Sequence, residues 1–320
     1  MSPKLLFVTV LTSLCLFSAA YAETTPPSTD KAESTSGSEP PPAAKDEKSS
    51  AEQDDKVAQY NLGIRYIQGD KVKKSSKKAA GYFAKAAEQG YAPAQYNLGV
   101  LYARGQGVDQ SSKKALEYFV KAAEQGYAAA QSSLGTMYIS GQGVDQDTQK
   151  AVEYFTKAAE QKDAVAQFNL GSMYAQGQGV DKDDKKAFDY LTQAAEQGLA
   201  VAQTNLGLMY DNGQGVAEDN QKAVEWYAKA AEQGDADAQT DLGVMYDTGE
   251  GVTEDNEKAV KWYTKAAKQG NANAQYNLGL MYRDGEGVDK SLSSAKKWLK
   301  KAAKSGHADA QKALDDLPKE

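Results

Sequence analysis

Ser75 with Lys78 and Ser111 with Lys114 share the spacing S-x-x-K. On a helix that spacing puts a lysine amine beside a serine hydroxyl, the arrangement of nucleophile and base in enzymes that open β-lactams. Neither S-D-N nor K-T-G, the companion motifs of that chemistry, occurs in the chain. Both serines also stand where a helix begins, and both lysines at a position that recurs along the sequence, so capping accounts for the pattern without catalysis. The remaining reactive side chains are few: Cys15 is the one cysteine and His307 the one histidine. Cys15 falls in an N-terminal leader, so the processed chain has no thiol for a disulfide, a nucleophile or a metal. His307, in the last turn between helices, is expected to be a solvated residue rather than a ligand. The acidic turns around Asp211, Glu218 and Asp219 lack the alternating oxygen ligands of a calcium loop and are expected to be solvated. No catalytic residue, metal site or cofactor is expected.

What positions these residues is a repeat. A 36-residue string beginning at Ala58 recurs at Ala94, Ala130, Ala166, Ala202, Ala238 and Ala274, without insertion or deletion. A fixed period of this length marks stacked helical hairpins, each packing on its neighbours rather than on one central core. The seven copies are 58–93, 94–129, 130–165, 166–201, 202–237, 238–273 and 274–309, with columns 1 to 36 counted from each leading alanine.

Columns 1, 5, 8 and 9 share one side of a helix, here helix A. Column 5 is leucine and column 9 tyrosine in every copy. Glycine at column 12 ends helix A. Column 14 is glycine except at Lys71, and a valine follows it to plug the turn. Column 18 holds only Ser or Asp, the residues that cap a helix start, and helix B follows. Helix B carries alanine at column 22, Tyr or Trp at column 25 and Ala-Ala at columns 29 and 30, and it ends at the glycine of column 33, which only Lys162 replaces. Column 6 is glycine in mid-helix A throughout, at a cost of about 1 kcal/mol each relative to alanine. Close approach of a neighbouring helix offsets that cost, with the ring at column 25 and the Ala-Ala pair as the expected partners.

The pattern A-Q-x-N-L-G-x-M-Y-x-x-G-x-G-V-x-x-D-x-x-K-A-x-x-Y-x-x-K-A-A-E-Q-G resembles the Sel-one-like repeat (SLR), an αα-hairpin related to the tetratricopeptide unit, over 252 of the 320 residues. The resemblance implies an all-α fold, a right-handed α/α superhelical solenoid of seven 36-residue helix-turn-helix repeats. It also implies a scaffold or adaptor role in protein–protein contacts, often in bacterial envelope or secreted proteins. One branch, the Helicobacter cysteine-rich proteins, has a disulfide in each repeat and members linked to penicillin binding or β-lactam hydrolysis. That makes a cell-envelope enzyme or binder acting on β-lactam or peptidoglycan the alternative function. The repeats here contain no cysteine, which separates them from that branch.

Recognition is expected in the columns that vary. In related solenoids helix A lines the concave surface, and its face opposite the Leu/Tyr stripe holds columns 3, 4, 7, 10 and 11. The candidate partner-binding residues there are Tyr60, Asn61, Tyr96, Asn97, Phe168, Asn169, Asn205, Leu208, Asp241, Tyr276, Asn277 and Leu280. A ladder of asparagines can donate to and accept from the backbone of an extended peptide, or it can brace neighbouring repeats. Charge is uneven along the array: the first repeat has seven basic residues to two acidic, the fifth two basic to seven acidic. Such a dipole can orient a partner, or it can reflect drift on a solvated face.

The ends read differently. Lys4, the apolar run from Leu5 to Phe17 and Ala20-Tyr21-Ala22 form a signal peptide cleaved after Ala22. Residues 23–57, rich in Ser, Pro and Glu and including Pro40-Pro41-Pro42, cannot bury enough apolar surface to fold and make a disordered linker. Residues 310–320 supply a C-terminal capping helix, covering the last pair with Ala313, Leu314 and Leu317, and a tail. The net charge of −7 gives no reason to expect nucleic acid as a partner. The chain is therefore expected to be an exported monomer, periplasmic or secreted from a bacterium, with no membrane span after cleavage and with a protein or extended peptide as its partner.

Overall fold

The computed structural model describes residues 55–318. The expected signal peptide, the expected linker up to residue 54 and the last two residues lie outside the described residues. Seven A helices, α1 (Lys56–Gln68), α3 (Ala92–Arg104), α5 (Ala128–Ser140), α7 (Ala164–Gln176), α9 (Ala200–Asn212), α11 (Ala236–Thr248) and α13 (Ala272–Asp284), alternate with seven B helices. These are α2 (Ser76–Glu88), α4 (Ser112–Glu124), α6 (Thr148–Glu160), α8 (Asp184–Glu196), α10 (Asn220–Glu232), α12 (Asn256–Lys268) and α14 (Leu292–Lys304). A short α15 (Ala310–Asp315) closes the series, and there is no strand among the described residues. Two compact units divide the described chain, one ending at Ala166 and the other beginning at Gln167.

Helix boundaries follow the repeating punctuation. Each B helix starts after a column 18 Ser or Asp whose side chain accepts the backbone N–H three residues on, as Ser111 does from Lys114 at 3.3 Å and Asp255 from Lys258 at 2.9 Å. Where the cap is Asp255, the lysine of column 21 adds an ion pair, Lys258 Nζ to Asp255 Oδ2 at 2.9 Å. The helix A glycines of column 12 adopt the left-handed conformation, φ 81° at Gly69 and 73° at Gly249. Lys56 and Val57 belong to α1, with Asp55 as its cap, so the linker ends earlier than its composition suggests. At the other end α15 stops short of Leu317, with Ala310 and Ala313 buried.

The core is built column by column. The leucines of column 5 and the alanines of columns 1, 22 and 29 are buried in every copy. The mid-helix glycines of column 6 do mark a close approach, but not to column 25. A Cβ on Gly63 would stand 2.5 Å from the Phe83 ring, on Gly135 2.6 Å from Phe155, and on Gly243 2.6 Å from Tyr263. The partner is therefore column 26, fully buried as Phe83, Phe119, Phe155, Leu191, Tyr227, Tyr263 or Leu299. One residue is about 100° of helix rotation, which turns column 25 out of the interface. In the first four copies its tyrosine rings instead lie flat on the tyrosines of column 9, as Tyr102 on Tyr118 with centroids 5.7 Å apart and planes within 5°. Lysines of columns 21 and 28 lie over the rings of columns 9 and 25, Lys114 over Tyr102 at 5.0 Å and Lys229 over Trp226 at 3.7 Å.

A second, polar seam joins successive hairpins within each unit. The glutamine of column 2 is buried in every copy. Gln203 Nε2 donates to the Ala195 carbonyl at the end of the preceding B helix, 3.1 Å, while its Oε1 accepts from Gln233 at column 32 of its own hairpin, 2.7 Å. Gln95 makes the same pair of contacts with Ala87 and Gln125. The buried amide is thereby satisfied on both sides, and it fixes the register between consecutive hairpins.

The second turn glycine completes the joint. A Cβ on Gly251 would sit 2.2 Å from the Asn220 carbonyl oxygen at the start of the preceding B helix. Lys71 is tolerated at this column because no hairpin precedes the first one among the described residues. Lys162, at the column 33 glycine, is tolerated for another reason: glycines there, such as Gly126 and Gly270, have open space around the missing Cβ.

Gly251 (φ 68°) and Gly270 (φ 98°) share the left-handed strain but differ in space. Gly270→Ala should cost only the left-handed penalty, about 1–2 kcal/mol. Gly251→Ala should add a backbone clash of about 1–3 kcal/mol. Urea unfolding followed by circular dichroism checks this, and equal midpoints for the two variants would remove the proposed joint.

Candidate functional site

The A-helix face opposite the leucine–tyrosine stripe is the surface on which the sequence places recognition. Much of it is engaged within the protein. Tyr60 is buried, edge-on to Tyr91 with centroids 5.3 Å apart. Tyr96 packs on Tyr127 at 5.4 Å, and Tyr276 stacks on His307 at 4.1 Å with planes within 13°. His307 is therefore not a solvated turn residue: it is half-buried, and burial lowers its pKa from the ordinary value. Phe168, Asn169 and Asn205 are buried, Asn61 is exposed, and Asn97, Leu208, Asp241, Tyr276, Asn277 and Leu280 are half-buried.

The asparagine column mixes braces with open positions. Asn205 Nδ2 donates to the Val201 carbonyl at 2.7 Å, one turn back on its own helix. Asn97 pulls the pKa of the Tyr60 hydroxyl of the preceding hairpin down against the larger effect of burial, and Asn277 does the same for Tyr263. Column 7 remains half-buried in every copy, as Ile64, Val100, Thr136, Ser172, Leu208, Val244 and Leu280.

Column 3 is linked to column 34, the residue just before the next A helix. A large ring at column 3 (Tyr60, Tyr96, Phe168, Tyr276) accompanies Tyr91, Tyr127, Leu199 or His307. A small polar residue there (Ser132, Thr204, Thr240) accompanies Asp163, Asp235 or Asn271. The second set caps the following helix, as Asp235 accepts from the Ala238 N–H at 2.8 Å, whereas Tyr91, Tyr127 and Leu199 give no side-chain cap. Helix A is thus started either by a cap or by ring packing.

The fifth and sixth hairpins carry polar side chains where the first four are apolar. Column 10 is Ile67, Ala103, Ile139 and Ala175 in the first four copies, then Asp211 and Asp247. Column 26 changes with it, from Phe or Leu to Tyr227 and Tyr263. Tyr263 Oη donates to Asp247 Oδ2 at 3.3 Å. Tyr227 is 1 % exposed, and its hydroxyl has no hydrogen-bond partner among the described residues. The charges that act on this hydroxyl are Asp241 and Asp211, which, after burial, hold its pKa well above the ordinary value. Asp241 stands where most copies have asparagine. Its carboxyl is held well above the usual carboxylate range, first by burial and then by Asp237, Asp211 and Asp235. Asp237 is raised too, by burial and Asp235, against a hydrogen bond from Asn271. These buried polar groups were missed from sequence, although the joint switch at columns 10 and 26 was visible there.

A model of the Sel1 repeat matches seven consecutive segments, 56–91, 92–127, 128–163, 164–199, 200–235, 236–271 and 272–307. Each begins on the first residue of an A helix, two residues ahead of the column 1 alanine. A protective antigen present in uropathogenic Escherichia coli strains, displaying an SLR fold, is 37% identical with a TM-score of 0.74; the match covers 84% of this chain and 58% of the antigen. This chain thus spans less than two thirds of the antigen's length. A Sel1 repeat protein from Oxalobacter formigenes is 37% identical with a TM-score of 0.67, over 86% of this chain and 80% of that one. Among curated proteins none matches.

Because its folded pKa is raised above 3.8, Asp241 holds its proton more tightly in the native than in the unfolded chain. Its contribution to stability is full below that value and is lost as pH rises through the folded pKa. Asp241→Asn should therefore raise the melting temperature at pH 7, with the gain vanishing toward pH 4. A variant less stable than the parent at pH 7 would contradict the burial argument.

Proposed function

The chain belongs to the Sel1 repeat family, and on that premise we propose that it is an exported scaffold binding a protein or extended peptide along its A-helix face. The observation that carries this reading is column 7: half-buried in all seven copies, apolar at Ile64, Val100, Leu208, Val244 and Leu280, and varying while the packing columns around it do not. Within each unit, such side chains suit recognition of a chain laid across successive hairpins, with Asn61 exposed beside the first. The protein does no covalent chemistry in this reading. Ser75 and Ser111 hold the first turns of α2 and α4, and the Lys78 and Lys114 ammoniums lie over Tyr66 and Tyr102. The leader and the likeness to a protective antigen support export.

Leu208→Arg with Leu280→Arg should reduce capture of the partner from an envelope extract of the source organism by about tenfold, since each places a charge where apolar surface is buried on binding. Circular dichroism should be unchanged, and Glu225→Arg on the exposed side of α10 should have no effect. Capture unaffected by the double variant would move the binding surface elsewhere. N-terminal sequencing of the protein recovered from the periplasm of a Gram-negative host should begin at Glu23; retention of the leader in the cytoplasm would overturn export.

A further inference from the structure

We propose that the outer face of α12 and α14 rests on an anionic phospholipid bilayer, held there by six lysines, so that the protein is bound peripherally to a membrane. Columns 24, 28 and 31 lie within about 60° of one another around helix B and form one stripe. From the second copy to the fifth that stripe has an acid at both ends, as Glu225, Lys229 and Glu232. In the last two copies it becomes Lys261, Lys265 and Lys268, then Lys297, Lys301 and Lys304, all exposed. None of the six is ion-paired among the described residues, whereas Lys258 on the same helix pairs with Asp255. Glu257, in the first turn of α12, is the one acid on either helix. The helix dipole does not account for the stripe. It favours a lysine at column 31, near the C-terminus, yet five copies keep glutamate there.

The two rows are held side by side within one compact unit. Gln275 of α13 donates to the Ala267 carbonyl of α12 at 3.1 Å and accepts from Ser305, the residue after α14, at 3.1 Å. One amide thus ties together the helix ends that carry Lys268 and Lys304. At the other end, a Cβ on Gly287, in the turn leading to α14, would stand 2.2 Å from the Asn256 carbonyl at the start of α12. The result is two parallel rows of three charges, each row about 10 Å long.

The make-up of the face selects its occupant. Each lysine is a hydrated point charge on a flexible stem, and neither helix has an arginine, whose planar fork suits the phosphates of nucleic acid. No large apolar side chain is exposed on the face, so a folded protein would find no anchor there. A fluid sheet of phosphodiester headgroups needs neither fork nor anchor, and each lysine near such a surface strengthens binding about fivefold. Trp262 and Trp298 lie under Lys265 and Lys301, at 3.8 and 4.6 Å, and tryptophan is a ring type that settles at headgroup depth. The chain's net charge of −7 does not oppose this, because physiological salt screens charges beyond about 8 Å and the local face decides. The proposal goes beyond the scaffold reading and does not depend on column 7.

The test sediments the processed chain with vesicles of equal parts phosphatidylcholine and phosphatidylglycerol, and with vesicles of phosphatidylcholine alone. Binding should be confined to the anionic vesicles and be lost at about 1 M salt, where the screening length falls to about 3 Å. Lys261→Gln, Lys268→Gln, Lys297→Gln and Lys304→Gln together should weaken it more than about a hundredfold. Lys113→Gln, Lys121→Gln, Lys157→Gln and Lys185→Gln remove the same charge from exposed positions on α4, α6 and α8 and should change it less than about threefold. Melting curves establish that both variants are folded. Absence of binding to the anionic vesicles, equal binding to the two vesicle types, or equal weakening by the two sets of substitutions overturns the proposal. So does salt-sensitive self-association without vesicle binding, abolished by the first set alone, which would assign the face to a second copy of this chain. None of these outcomes bears on capture of a partner by the A-helix face.

Discussion

The absence of a side chain at column 6 sets the spacing of each hairpin. Gly63, Gly99, Gly135, Gly171, Gly207, Gly243 and Gly279 let helix A settle onto a large side chain of helix B, with no room for even a methyl group. Glycine in mid-helix weakens the helix on its own, so the hairpin relies on that contact for its stability. The rest of the core follows from the short distance. Alanine suffices at columns 22 and 29 because the helices are already close, and the leucine of column 5 fills what remains.

Two further contacts turn separate hairpins into an ordered series. The column 2 glutamine is a buried amide with partners in two successive hairpins, so a slip in register would leave it unpaired in a low-dielectric interior. The column 14 glycine brings the turn against the backbone of the preceding B helix, where a side chain would collide with a carbonyl. Apolar burial supplies the driving force, and these two joints select one arrangement from the many that similar greasy faces would allow.

Most of the architecture was legible in the sequence because it depends on periodicity and punctuation. The 36-residue step, the column 18 caps and the column 12 stops all stand where the spacing placed them. What could not be read was the direction of individual side chains. Columns 25 and 26 are both large, and the periodic pattern does not say which meets the glycine. His307 looked like an isolated turn residue because its partner, Tyr276, is one hairpin-length away. The asparagine column looked uniform, yet Asn205 is buried and bonded to its own helix while Asn61 is exposed. The unpartnered Tyr227 hydroxyl was out of reach for the same reason, since it depends on which neighbours it lacks.

The link between columns 3 and 34 bears on how such an array changes length over generations. Both members of the pair lie within one 36-residue unit, so a duplication or loss of a whole unit carries ring with ring, or hydroxyl with cap. Unequal recombination between copies that exchanges whole units leaves no orphaned partner at the seam. Crossovers falling inside a unit, between the two columns, do create mismatched pairs. Selection against those products would keep copy number free to drift while holding each unit's internal pairing intact.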